Sequence, residues 1–493
     1  MSSNTKIVTT LAGNFGRLWK RGHESFSSNS RRIISVQGQG ATAYLQGLVT
    51  CDLTQPPNPP REEEDIGTDI DDNGGDDTKS SADTTVGGVD FSDHLRAACF
   101  LDAKGRILTD SLLWKVDETQ YYIDVPAKTA NPLLAHLKQF ILRRTKVKVK
   151  DETEKSGMTS HVVLGTLNSR NTPNGFLAAV DPRHPSLGMR ILSLDLTKGK
   201  EFTEMMSGQF LDCPGTYNLI RKLAGIAEGI ELKGRVAAET NQEFLNAVSF
   251  QKGCYLGQEL TVRVQFTGAV RKRIMPLMIT NVNMQVPRPW LIASQIQKQQ
   301  HQEKGKESSE LKEATPTNSE GNINNPLTLS PLPRLSSCAA ASMIASMSGS
   351  PAAEESGEKK TPSTNADDEL QAQTEALFDE LQTSYKVGDK IYDTKDGKSI
   401  GQIVALPEEG TNVLLAQMRL DSVGLLRPKS SSRKRKQKKE DDYNNDDGGP
   451  GWKSNNKISI GESNSSNPLR FLPYIPLWWP KIDPDSGKAK EEQ

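Results

Sequence analysis

The chain is short of cysteine, histidine and long apolar runs, and each shortage excludes a class of protein. Five cysteines stand at 51, 99, 213, 254 and 338, an odd number with no CxxC pair. That excludes a disulfide framework and leads us to expect a reducing compartment. The six histidines are scattered with no zinc-type pairing, so no metal site is expected. No apolar run reaches the roughly 18–20 residues of a membrane-spanning helix. A net charge of −1 excludes a polyanion-binding surface over the whole chain. Hydrophobic residues make up 35% of the chain, below the roughly 45% usual in globular domains, and the deficit is local.

The poor stretches divide the chain. Residues 1–32 hold six basic residues, six serines and one acid, Glu24. Leu11, Phe15, Leu18 and Trp19 recur at helical spacing, and the segment reads as a transit peptide. Residues 33–282 read as an α+β region. Within it, 55–93 has prolines at 56, 57, 59 and 60 followed by a run of Asp and Glu, and reads as a disordered acidic insertion. Strands are expected at 96–101, 106–114 and 121–125, a helix at 129–143, an edge strand at 145–149 and a helix at 218–226. Residues 283–383 read as a low-complexity linker. Residues 384–482 read as a small β-barrel built from short strands, with a charged insertion at 427–468 and a tail at 483–493. The basic run 433–439 is followed at once by acids and has no interleaved aromatics, so no nucleic-acid partner is expected.

The segment Phe250-Gln251-Lys252-Gly253-Cys254-Tyr255-Leu256-Gly257-Gln258-Glu259 concentrates chemistry. Gly253 and Gly257 let the backbone approach a ligand or take φ > 0. The Lys252 ammonium favours a thiolate at Cys254. Gln258 and Glu259 offer an amide and a carboxylate for a flat, hydrogen-bonding ring. Cys254 is open to three readings: a small buried hydrophobe, a nucleophile, or a ligand-contacting thiol. The last fits the adjacent charges best. One thiol cannot hold an iron–sulfur cluster, and Cys51, Cys99 and Cys213 can help only if the fold gathers them. Asp110, on the second expected strand, is a candidate proton carrier or partner for a cationic nitrogen.

The Lys252–Glu259 segment resembles the signature K-G-C-Y-x-G-Q-E of the YgfZ/GcvT-type folate-binding family, in its mitochondrial iron–sulfur cluster assembly factor branch. Tyr44–Thr50 with Asp52, Phe100–Arg106, Tyr217–Arg221, Leu223–Ile226 with Glu228-Gly229, Gly268 with Arg271–Arg273, and Trp478-Trp479-Pro480 match in family order. The resemblance implies a ring of α+β modules around a folate pocket, closed by a C-terminal barrel. It implies tetrahydrofolate or a related folate as cofactor, A-type iron–sulfur scaffold proteins as partners and the mitochondrial matrix as location. It assigns Cys254 and Asp110 to chemistry, and Lys252, Gly253, Tyr255, Gly257, Gln258, Glu259 and Glu239 to the ligand. Ala238 stands where the family usually has proline before that glutamate. Thr109 replaces one member of the aspartate pair of related aminomethyltransferases. An aminomethyltransferase or demethylase using tetrahydrofolate is the alternative function. A folate's anionic tail is expected to meet Arg271, Lys272 and Arg273.

Overall fold

A computed structural model describes residues 22–57, 94–164, 173–184, 187–207, 211–212, 214–280, 385–393, 397–408, 413–427, 470–476 and 478–490, with the backbone of short strands at 85–86, 89–90, 334–335 and 458–460. The basic run 433–439, the helix considered at 369–383, Cys213 and Cys338 lie outside these residues. No described helix is long and apolar enough to cross a membrane.

The chain enters through β1 (Gly22–Ser25), β2 (Arg31–Gln37) and α1 (Ala41–Gln46). Both strands lie inside the segment read as a leader or start there. Arg31 is buried and β1 pairs with two other strands, so the leader reading cannot extend to residue 32. β3 (Leu95–Leu101), β4 (Ile107–Asp117) and β5 (Gln120–Pro126) follow as a meander. Then come α2 (Ala127–Gln139) and β6 (Lys148–Asp151). The five strands form an antiparallel sheet in the order β3-β4-β5-β2-β6. Every residue of β3 is buried, because the sheet is covered on both faces. Ile34, Val36 and Ile123 on one face pack under Leu45, Leu133 and Leu137 of the two helices. Ala97, Cys99 and Trp114 point to the other side, against Leu232, Tyr255 and Ile274. The expected helix runs on to 143, but α2 stops at Gln139. Leu142 is extended and Lys146 takes φ +48°, turning the chain into β6.

A second sheet is built from β7 (Thr159–Val163), β8 (Phe176–Val180) and β9 (Met189–Ser193), in the order β8-β9-β7-β1, with Leu211–Asp212 parallel to β1. α3 (Leu196–Met206) covers it through Phe202 and Met206, and Asp195 caps that helix by accepting from the Lys198 amide. α4 (Thr216–Leu223) and α5 (Gln258–Phe266) follow.

The third sheet contains β10 (Lys272–Thr280), β11 (Lys390–Asp393), β12 (Ser399–Ala405), β13 (Val413–Arg419) and β14 (Arg470–Pro473). Its antiparallel order is 458–460, β11, β12, β13, β10, β14, a curled half-barrel in the place of the expected small C-terminal β-barrel. The expected boundary near 282 needs correction. β10 pairs with β13 on one side and β14 on the other, so the third sheet takes a strand from before the linker. Residues 483–490 are likewise no loose tail. Ile482 bridges Ala489, and the Gly487 carbonyl accepts from Arg273. The α+β class stands.

Candidate functional site

Two tight turns place the Cys254 segment. In the β3–β4 turn, one Asp102 carboxylate oxygen accepts from the Lys104 and Arg106 amides, each 2.9 Å away. Gly105 there has φ +75° and Gly257 has φ +77°. A Cβ on Gly257 would lie 2.4 Å from the Asp102 carbonyl oxygen, and one on Gly105 would lie 2.6 Å from Leu260 Cβ. The two motifs interlock backbone to backbone, at an approach only glycine permits.

Lys252 fastens the other end. Its Nζ donates to the carbonyls of Gln46 and Val49 at 2.7 Å and of Cys51 at 2.9 Å, closing the exposed end of α1. The Leu256 amide donates to the Gly47 carbonyl nearby. All three ammonium protons have acceptors, which corrects two expectations: Lys252 has no N–H left for a cofactor and is engaged away from the thiol. Burial lowers its pKa to about 8, against the nearby Cys51 sulfur and Asp52 carboxylate, so it remains charged at neutral pH. The Tyr255 ring is buried 4.9 Å from that ammonium, and burial raises its phenol to about 12. Tyr255 is therefore part of the core. Gln258 accepts from the Tyr255 amide at 3.1 Å, which fixes the turn.

What this clamp leaves outside is Cys254. Its thiol is exposed, a Cβ on Gly253 would meet nothing within 4 Å, and Glu259 is exposed on the first turn of α5. Cys51 and Cys99 are buried, and burial raises Cys51 to about 11 and Cys99 well above the usual thiol range. Among the described residues the three thiols are not gathered into a cluster-binding set, and no group of His, Cys, Asp and Glu could hold a metal ion.

A cleft of about 420 Å³ opens beside the clamp, within the size range of ligand pockets. Cys51, Asp52, Arg96, Glu243, Phe244 and Phe250 line it, together with Lys488 of the C-terminal segment. Its wall takes residues 248–251 from the motif region, not 252–259 as the sequence suggests. Glu239 lies elsewhere, accepting from Gln417 at 3.0 Å. Arg273 is buried and donates to the Ala238 carbonyl and Glu243, so it cannot meet an anionic tail.

Asp110 belongs to a third feature, which the sequence reading missed. Arg31 bonds Asp124 at 2.6 Å and Glu228 at 3.1 Å. Arg183 bonds Glu228 at 2.5 Å and Asp181 at 2.8 Å, and lies 3.8 Å from Asp110. Arg190 bonds Asp181 and stacks 4.1 Å over Tyr217, and Arg221 bonds Glu231. Five carboxylates (Asp110, Asp124, Asp181, Glu228, Glu231) face four guanidiniums (Arg31, Arg183, Arg190, Arg221). Below about pH 6 a proton on Asp110 brings the carboxylate charge level with the four guanidiniums. Burial and then the Glu228 charge push Asp110 up to about 6, against Arg183 and the Gly229 amide 2.6 Å away. Burial also raises Glu228, but Arg183, Arg31, Arg221 and Arg190 outweigh it and hold that carboxyl well below the usual range. Asp110 lines neither the cleft nor the smaller cavity of about 350 Å³ near Arg31 and Glu228. Asp124 within Tyr-Tyr-Ile-Asp-Val and Arg190 within Met-Arg-Ile-Leu carried the available signal, a lone charge inside an apolar strand.

The Asp110 shift has a measurable sign. Its folded pKa of about 6 exceeds the 3.8 of a free aspartate. Its contribution is therefore complete below pH 4 and lost as pH rises through 6, by up to about 3 kcal/mol. Asp110→Asn keeps the acceptor for Gly229 and cannot ionise. Its melting temperature relative to wild type is expected to climb between pH 4 and 7, and a constant difference would refute the raised pKa of Asp110.

No family model matches the chain. Curated relatives match about half of it. The protein described as "Iron-sulfur cluster assembly factor IBA57 homolog, mitochondrial" from Neosartorya fischeri is 28% identical over 279 residues, covering 51% of this chain and 56% of the relative. Its namesake in Coccidioides immitis is 29% identical over 277 residues, covering 53% and 58%. That of Chaetomium globosum is 32% identical over 279 residues, covering 51% and 55%. The chain thus matches less than two thirds of each of these relatives. Among solved structures, the glycine cleavage system aminomethyltransferase T from Bartonella henselae aligns with a TM-score of 0.49 and 9% identity, covering 97% of this chain and 91% of that one. Over half its length the chain is similar to proteins named as mitochondrial iron–sulfur cluster assembly factors, the branch that its motifs resemble.

Proposed function

We propose that this chain serves the assembly of iron–sulfur clusters in the mitochondrial matrix, holding a folate-type ligand in the 420 Å³ cleft and presenting Cys254 to an A-type scaffold partner. The observation that carries the reading is an exposed thiol held at a fixed position, with Lys252 anchoring one side of its loop and Gly257 the other. A merely structural cysteine needs no such mounting. The names of the curated relatives point the same way.

The cleft has the chemistry a folate requires. Burial raises the Asp52 pKa, but bonds from Thr54 and Gln46 outweigh it and keep the carboxylate ionised. Those bonds fall on one oxygen, so the other can accept from an aminopyrimidine edge. Phe244 and Phe250 supply apolar walls for a pterin, and Arg96 and Lys488 supply cations for its anionic tail. The aminomethyltransferase reading is no better supported, since Asp110 is engaged with Gly229 and Arg183 and does not line the cleft.

The test has two arms. Calorimetric titration with tetrahydrofolate is expected to give saturable binding that Arg96→Ala weakens about tenfold. Absence of binding would remove the ligand from the proposal. Cys254→Ala is expected to melt within about 0.5 kcal/mol of wild type, as an exposed substitution should. It is nevertheless expected not to restore aconitase activity in depleted cells. Full restoration would leave the thiol without a role.

A further inference from the structure

The surface farthest in character from the cleft lies at the end of the first sheet. From 138 to 150 the chain carries Lys138, Arg143, Arg144, Lys146, Lys148 and Lys150 and no acid. All six are exposed. Val147 and Val149 point inward, each 7% exposed, so alternation forces Lys146, Lys148 and Lys150 onto one outward face. Arg143 and Arg144 occupy the turn just before it, and Leu142 beside them is 51% exposed.

The acids bordering this lobe are committed elsewhere. Asp151 pairs with Arg32, and Glu152 accepts from Ser35 and Ser156, with Lys150 acting on it only at longer range. Six cations without close counter-charges among the described residues, on a chain whose net charge is −1, make a strongly local positive field. β6 is also the edge of its sheet, where outward lysines prevent pairing with another strand. Edge protection explains Lys148 and Lys150, but not the two arginines and the bare leucine in the preceding turn.

We propose that this lobe is a docking surface for an anionic lipid bilayer. Clustered Lys and Arg are drawn to negatively charged headgroups. Leu142, flanked by Arg143 and Arg144, supplies the apolar contact that a purely ionic surface lacks. A nucleic-acid face is less well matched, because no exposed aromatic stands among the six cations for base stacking. None of the six cations lines the cleft, and the proposal does not depend on what the cleft binds.

The experiment is flotation of the full chain with two kinds of vesicle, phosphatidylcholine alone and phosphatidylcholine mixed with phosphatidylglycerol. Binding is expected only with the mixed vesicles and is expected to fall steeply as salt is raised. The double substitution Arg143→Glu/Arg144→Glu is expected to lower partitioning at least about tenfold. Leu142→Ser is expected to lower it by a few fold, and both variants should melt like wild type. Residues 1–21 are basic too, so only binding lost in the lobe variants supports the proposal. It is overturned if the chain ignores the mixed vesicles at low salt, or if the double variant and Lys148→Glu/Lys150→Glu both float undiminished. Lobe-dependent binding to single-stranded RNA without flotation would also overturn it, reassigning the surface to a nucleic acid.

Discussion

Glu228→Ala is expected to lower the unfolding free energy by about 3–5 kcal/mol, the cost of leaving buried charges without their partner. Glu228 accepts from Arg31, Arg183 and Tyr217, and lies 4.0 Å from Arg190 and 3.9 Å from Arg221. Its loss leaves three carboxylates and the protonatable Asp110 facing four guanidiniums, all away from bulk water. Asp110 is then expected to ionise, since the charge that raises its pKa most after burial has gone. Part of the loss is thereby recovered above pH 6, so the deficit of Glu228→Ala should be larger at pH 5 than at pH 8. Chemical denaturation at the two pH values measures both effects. A change under about 1 kcal/mol would mean that the network is far better hydrated than the structure shows.

Gly257→Ala carries the second large effect, a loss of about 2–4 kcal/mol. A left-handed backbone costs an L-residue roughly 1–2 kcal/mol. The new methyl would also meet the Asp102 carbonyl at 2.4 Å, a backbone atom that cannot rotate away. Gly105→Ala strikes the same contact from the opposite turn, and the double variant is expected to cost less than the sum of the singles. Strict additivity would show that the two turns do not touch. The Cys254 thiol should also react faster with iodoacetamide in Gly257→Ala, because its loop has lost one of its two anchors.

What was legible in the sequence, and what was not, follows from the range of the forces involved. The meander, the helix under it and the edge strand could be read because alternation and helical spacing act over a few residues. The glycines of the Cys254 segment could be read as special. The partner of Gly257, the turn at 102–105, lies about 150 residues away, and nothing local announces it. Lys252 misled for a related reason. Proximity along the chain suggested a thiol for its ammonium, whereas the fold brings three carbonyls from 46–51 to it. Arg273 looked like one of three surface cations, yet it is buried against Glu243 and Gly487. Pairings of this kind depend on tertiary closure, and a single sequence does not encode them in any short window.

The placement of β10 has a further consequence for anyone cutting the chain. About a hundred residues separate it from β11, yet both belong to one sheet and β10 sits between β13 and β14. Closing so long an excursion costs only slightly more than closing a short one, because the entropy grows with the logarithm of length. The excursion can therefore lengthen or shrink without disturbing the strands it joins. Cleavage near 282 would be a different matter. A fragment starting at 384 would lack an interior strand and expose two raw hydrogen-bonding edges. The severed halves should behave as complementary pieces that recover their shape only together.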